Sequence, residues 1–237
     1  SMRSTTRSDS HVSIDSGLRA HMNKVYGLMA VAMIITGAVA WSIGTTPQLV
    51  YALFSNTIIS LIVMFAPLGF VFFLSARVMK MSYGGGQLAF WLFSALMGLS
   101  LSTIFIAYTG ASIANAFFTT AVAFGAMSLF GYTTTKDLSG MGRFLFMGVI
   151  GLIVAMIINW FTQSPGLEFA INVLGVLIFA GLTAYDTQNI KNTYLSLRSA
   201  PNGEEVAAKA GILGALSLYI NFLNMFMFLL ALMGNRE

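Results

Sequence analysis

The chain has 237 residues, of which 57% are hydrophobic and 8% charged, with a formal net charge of +4 and no cysteine. A soluble domain averages about 25% charged residues, so a soluble fold is excluded. The missing cysteine removes disulfide frameworks, thiolate metal sites and thiol chemistry.

Ser1 before Met2 reads as the remnant of a tag, so the native chain is expected to start at Met2. Residues 1–24 are expected to form a polar N-terminal tail without a signal peptide, because the apolar run that follows is too long and lacks a small-residue cleavage site. Residues 25–237 form one transmembrane domain. Its seven apolar segments run Val25–Ile43, Tyr51–Val78, Gln87–Tyr108, Ile113–Thr133, Phe144–Phe161, Leu167–Asp186 and Gly211–Met233. Each is long enough to cross ~30 Å of hydrocarbon as a helix. The predicted fold class is therefore an all-α polytopic membrane protein of seven transmembrane helices. Connections are short except between the sixth and seventh segments. There Ser199-Ala200-Pro201-Asn202-Gly203 predicts a turn, and Glu204 and Glu205 suit the first turn of a helix. Gly84-Gly85-Gly86 reads as a flexible turn before the third segment.

Charge sets the orientation. Of the 12 Lys and Arg residues, Arg236 alone lies on one side. The rest flank alternate ends of the segments, in the tail and near Arg77, Lys80, Lys136, Arg143, Lys191, Arg198 and Lys209. The positive-inside rule then predicts a cytoplasmic N-terminus and an outside C-terminus. The same distribution argues against nucleic acid as a partner; the partner that composition dictates is the lipid bilayer.

Asp186 is the most informative residue. It ends the apolar run Phe169–Ala184, and its nearest basic residue in sequence is Lys191. A carboxylate costs ~2.5–3.5 kcal/mol at the centre of a membrane helix and less near an end. It marks an ion pathway, a proton step or an internal pair, or else reaches the headgroups as a helix-end charge. Gly211, Gly214, Ser217, Asn221 and Asn224 recur at three- and four-residue intervals and share one face of the last helix. Small and polar residues on one face mark contact with other helices, and packing suffices for Gly211, Gly214 and Ser217. Asn221 lies deep enough for its amide to need a partner. Arg77 either snorkels to the interface or latches onto Asp186 from the same side. Asn159 and Asn172 fall near the outer helix ends, with Glu168.

Several chemistries are excluded. No Lys lies inside the seventh segment to hold retinal as a Schiff base. Both histidines, His11 and His21, precede the first segment, which removes an intramembrane zinc or Ser–His hydrolase. The seventh segment has no carboxylate to complete an aspartyl-protease pair. The chain is therefore expected not to be an enzyme, and to have no cofactor and no resident metal.

Four stretches carry a family resemblance: Ala95-Leu96-Met97-Gly98-Leu99-Ser100-Leu101-Ser102, Gly131-Tyr132-Thr133-Thr134-Thr135-Lys136-Asp137-Leu138, Gly181 to Gln188, and Leu218-Tyr219-Ile220-Asn221-Phe222-Leu223-Asn224. Together they resemble the Bax inhibitor-1, or transmembrane BAX inhibitor motif, family, in its proteobacterial inner-membrane branch. The resemblance implies six helices around a central, polar-striped seventh, and a pH-sensitive calcium leak with calcium as a transient ligand. It implies that a pair of aspartates from helices six and seven senses protons, and that a basic residue of helix two latches the closed state. Asp186 matches the first aspartate, Asn221 stands where the second is expected, and Arg77 matches the latch.

The Asn at 221 removes the like-charge repulsion of a carboxylate pair and one of the oxygens a hard divalent cation collects. Three readings follow: a cation leak at Asp186, a regulatory partner of a membrane-anchored ATP-dependent protease using the N-terminal tail, or a structural membrane protein without flux.

Overall fold

The computed structural model describes residues 2–235. Among these, nine α-helices and one 3-10 turn account for the architecture: α1 Met2–Gly44, α2 Pro47–Phe54, α3 Thr57–Arg77, the 3-10 turn Val78–Lys80, α4 Tyr83–Leu101, α5 Ile104–Ala107, α6 Gly110–Thr133, α7 Ser139–Thr162, α8 Pro165–Leu197 and α9 Gly203–Met233. Seven of the helical stretches are long and apolar enough to cross a membrane. The protein is an all-α polytopic membrane protein.

Local chemistry moves several boundaries from their predicted places. The second span does not start at Tyr51. The Asn56 carboxamide oxygen accepts from the Ile58 and Ile59 amides at 2.9 and 3.3 Å, which starts α3 afresh at Thr57 and leaves α2 a separate short helix. The glycine run is no loop. Ser82 Oγ accepts from the Gly85 amide at 3.1 Å, and Gly84, Gly85 and Gly86 form the first turn of α4. The third span breaks at Ser102 and Thr103, so α5 is a short continuation.

The largest departures lie at the basic end of the bundle, the end carrying Lys80, Lys136 and Arg198. There α1 runs back well before Val25, and Leu18 and Met22 are buried with Val25, Met29 and Ala32. These positions repeat every three or four residues, so the amphipathic face starts within the stretch read as tail. Likewise α8 continues eleven residues past Asp186, to Leu197. The connection to α9 shrinks to residues 198–202. Asn202 takes a left-handed conformation (φ 55°) there, and Lys209 pairs with Glu205 at 2.9 Å one turn into α9.

Helix α9 is the core of the bundle. Half of its most apolar window is buried, against 39% or less in the other six spans. Tyr219 anchors it, wholly buried, with Phe90 and Phe93 edge-on to its ring. Its hydroxyl meets Thr36 Oγ1 at 2.5 Å, and Thr36 Oγ1 is also bonded to the Ser94 carbonyl at 2.8 Å. One hydroxyl pair thus ties α1, α4 and α9 together. The surrounding ring is uneven: α1, α4, α6 and α8 pack on α9, whereas α3 lies mainly on α4 and α7 on α8. The expectation of six helices around the seventh therefore holds for four close neighbours and two outer ones.

Candidate ion and proton site

Three helices build the site around α8. On α6, a methyl at Gly131 would collide with the Ala184 carbonyl; on α7, one at Gly142 would run into the Tyr185 ring. The two glycines let α6 and α7 close on α8 beside Asp186. Thr187 extends this contact: its Oγ1 meets Ser128 Oγ of α6 at 2.9 Å and donates to the Thr183 carbonyl at 2.7 Å. Tyr26 of α1 bonds to the same Ser128 hydroxyl. Gln188 secures the adjoining loop, donating to the Lys136 carbonyl at 2.7 Å and accepting from the Leu138 amide at 2.9 Å. Asp186 thus lies in a stretch of α8 held on both sides by contacts to α6, α7 and the loop between them.

The Asp186 carboxylate faces α9. Asn221 Nδ2 donates to its Oδ2 at 2.7 Å, and Asn221 is only 4% exposed. The structure therefore brings Asp186 and Asn221 together. No cation joins them: the ion pair between Lys209 and Glu205 is the one found among the described residues. Arg77 is exposed in the last turn of α3 and is not brought to Asp186.

Two cavities meet at this carboxylate. The first, of about 190 Å³, extends towards the basic end between α1, α8 and α9, and is lined by His21, Asn189, Thr193 and Gly214 as well as Asp186 and Ser217. The second, of about 480 Å³, extends the other way into the gap left by the outer helices α3 and α7, past Leu68, Met156, Asn224 and Phe228. Asp186 and Ser217 line both. The polar stripe thus divides its work. Gly214 packs against Ile190, and Ser217 faces both cavities. Asn224 lines the second cavity while its own amide donates to the Ile220 carbonyl at 2.9 Å.

Other polar residues turn inward upon the scaffold. Asn159 closes the α7–α8 turn by accepting from the Ser164 amide at 3.0 Å. Ser94 and Ser102 bond back to their own helix, but Ser100 also reaches the Val63 carbonyl of α3 at 2.5 Å. Sequence reasoning left His21 outside the bundle. Its signal was legible: it lies three residues after Leu18 and four before Val25, on the same buried face.

No group of three or more His, Cys, Asp or Glu residues that could hold a metal ion occurs among the described residues. The site offers one carboxylate and neutral oxygens, fewer ligands than a hard divalent cation collects.

The fold and site define a class: polytopic helical membrane proteins with a central polar-striped helix and one enclosed carboxylate between two cavities. The chain belongs to the Bax inhibitor-1 family, whose model, described as "Inhibitor of apoptosis-promoting Bax1", matches residues 18–237. It is 46% identical over 233 residues to "Inner membrane protein YbhL" of Escherichia coli (strain K12), with 98% of each chain covered. It is 45% identical over 244 residues to a protein of Caulobacter vibrioides, covering 99% of this chain and 96% of the relative. A protein of Borreliella burgdorferi is 39% identical over 214 residues, covering 90% and 91%.

Proposed function

We propose that this protein is a slow, pH-sensitive cation leak of the bacterial inner membrane, carrying calcium, with Asp186 as the group that binds the ion and the proton. The observation that carries the reading is that one carboxylate, without an ion pair among the described residues, lines both cavities. A cation moving along the polar face of α9 would meet Asp186 where one cavity gives way to the other. An ionisable group held between helices at that depth is costly, and here it faces space rather than a cationic partner. Protonation would cancel its charge and its attraction for cations. Such a leak performs no covalent chemistry and needs no cofactor.

Orientation follows from charge. The basic end faces the cytoplasm by the positive-inside rule, which puts the N-terminus in the cytoplasm and the C-terminus outside. The inner-membrane location is supported by the name of the Escherichia coli relative.

The test is calcium flux in proteoliposomes, wild type against Asp186→Asn. The expected result is flux above empty liposomes that changes with pH and falls about tenfold or more in the variant. Equal flux in both proteins would refute the reading.

A second role is favoured by one feature. Helix α1 spans 43 residues, roughly 64 Å at 1.5 Å per residue, twice the ~30 Å of hydrocarbon. A helical arm of that length could reach a membrane-anchored ATP-dependent protease, as the family resemblance suggests. Deleting residues 2–14 should then abolish protease modulation and leave the leak intact.

A further inference from the structure

His21 is a buried titratable side chain that the site described above does not use. Its ring stacks on Tyr194 of α8, centroids 4.6 Å apart, and a methyl at Gly211 of α9 would come within 3.0 Å of its Cε1. It is therefore clamped between α8 and α9. Yet neither ring nitrogen has a hydrogen-bond partner among the described residues, and neither is sealed from space. The ring lines the 190 Å³ cavity that ends at Asp186.

Two helices give the same separation. Tyr194 lies eight residues beyond Asp186, roughly 12 Å along α8, and Gly211 lies ten residues before Asn221, roughly 15 Å along α9. His21 and Asp186 are too far apart to ligate one ion. They stand at opposite ends of one cavity, with the polar side chains of Asn189 and Thr193 between them. Ring stacking explains the burial of His21. It does not explain why both nitrogens are left without protein partners beside a cavity leading to a carboxylate.

We propose that His21 controls cation access to Asp186 from the basic end of the bundle: the neutral imidazole offers a lone pair to a passing cation, and the imidazolium repels it. This rests on the cation-leak reading. Imidazole is the side chain that ordinarily changes charge between about pH 5 and 8, so it supplies the near-neutral proton response that the Asn at 221 removes from a carboxylate pair. The charged and titratable groups around it are few. Helix α8 presents Asp186 and Tyr194. Helix α9 presents Ala210, Leu213 and Gly214 to the cavity, and its Lys209 is held by Glu205. Lys24, one turn on along α1, lies over the Tyr83 ring of α4, 5.5 Å from its centroid, and its charge also acts on His21 from outside the cavity. No Lys or Arg lines the cavity among the described residues, so charging His21 offsets the negative charge that Asp186 gives it.

The experiment measures calcium flux in oriented proteoliposomes, with the pH on the N-terminal side stepped from about 8 to about 5 and the other side held constant. Wild-type flux should fall several-fold. In His21→Gln the ratio of the fluxes at the two pH values should fall close to one, whatever the absolute flux, and His21→Arg should be low at both values. A second readout does not depend on flux. In nanodiscs, with His11→Gln to leave one histidine signal, the NMR titration midpoint of His21 should move on Asp186→Asn and stay in place on Glu168→Gln. No wild-type flux overturns both the leak and this inference. Flux that needs Asp186, but whose pH response survives His21→Gln, overturns the inference alone, as does a midpoint indifferent to Asp186→Asn.

Discussion

Asn221 donates to Asp186 at 2.7 Å, so a carboxylate at position 221 would lie against the one at 186. Two carboxylates that close cannot both ionise freely and share a proton. Asn221→Asp should therefore give calcium flux a steeper pH dependence than wild type, read in proteoliposomes across about pH 5 to 8. An unchanged profile would mean that the two side chains do not meet in the conducting state. Asp137 behaves oppositely to a buried acid. It is exposed in the loop before α7. The Ser139 hydroxyl and amide, bonded to its Oδ1 at 2.6 and 3.0 Å, hold its carboxyl below the usual range, with Arg143 adding to the effect. Because the folded-state value is depressed, the loop contact is present above the ordinary carboxylate pKa and is lost as pH falls through the lowered one. Ser139→Ala should return the Asp137 titration towards the ordinary range, measured by carboxyl NMR. Asn221 and its partner Asp186 were legible in the sequence through the family resemblance. The Ser139 contact of Asp137 was not, because it depends on how the loop before α7 turns.

At the scale of elements, close approach governs what the helices tolerate. Gly131 meets the backbone of Ala184, which cannot rotate away, whereas nothing lies within 4 Å of a methyl at Gly125, earlier on α6. Gly131→Ala should destabilise the protein by roughly 1–3 kcal/mol, and Gly125→Ala should be neutral or stabilise it by up to ~1 kcal/mol, in thermal unfolding in detergent. The joint between α1, α4 and α9 gives another contrast. Thr36→Val leaves the wholly buried Tyr219 hydroxyl without its partner and should cost about 1–3 kcal/mol. Tyr219→Phe removes the hydroxyl itself and should cost less, since Thr36 keeps the Ser94 carbonyl. If Tyr219→Phe proves the more damaging, the hydroxyl serves something other than this joint. The seven long apolar stretches were readable because hydrocarbon thickness dictates their length. Their ends were not. Asn56 and Ser82 start helices through caps, and the Leu18–Met22 face of α1 joins the bundle through packing, which hydropathy does not register.

For the whole molecule, orientation is the first thing to measure. Cysteine at Gln48 should react with an impermeant thiol reagent added outside cells, and cysteine at Ser199 should react only after permeabilisation. The reverse pattern would invert the bundle and the direction assigned to the His21 cavity. The native chain has no cysteine, so the background is clean. By itself the sequence determined the class of protein, the number of spans, the polar stripe and the isolation of Asp186, because each follows from the cost of placing polar groups in hydrocarbon. Tertiary structure alone decided the rest. It set α3 and α7 outside the inner ring and so opened the larger cavity. It turned Asn221 onto Asp186 and left Arg77 at the surface. It folded the stretch around His21 back against α8 and α9. Those outcomes depend on which helix faces pack together, and residues far apart in the chain reach one cavity only when several helices have agreed on their rotation and depth.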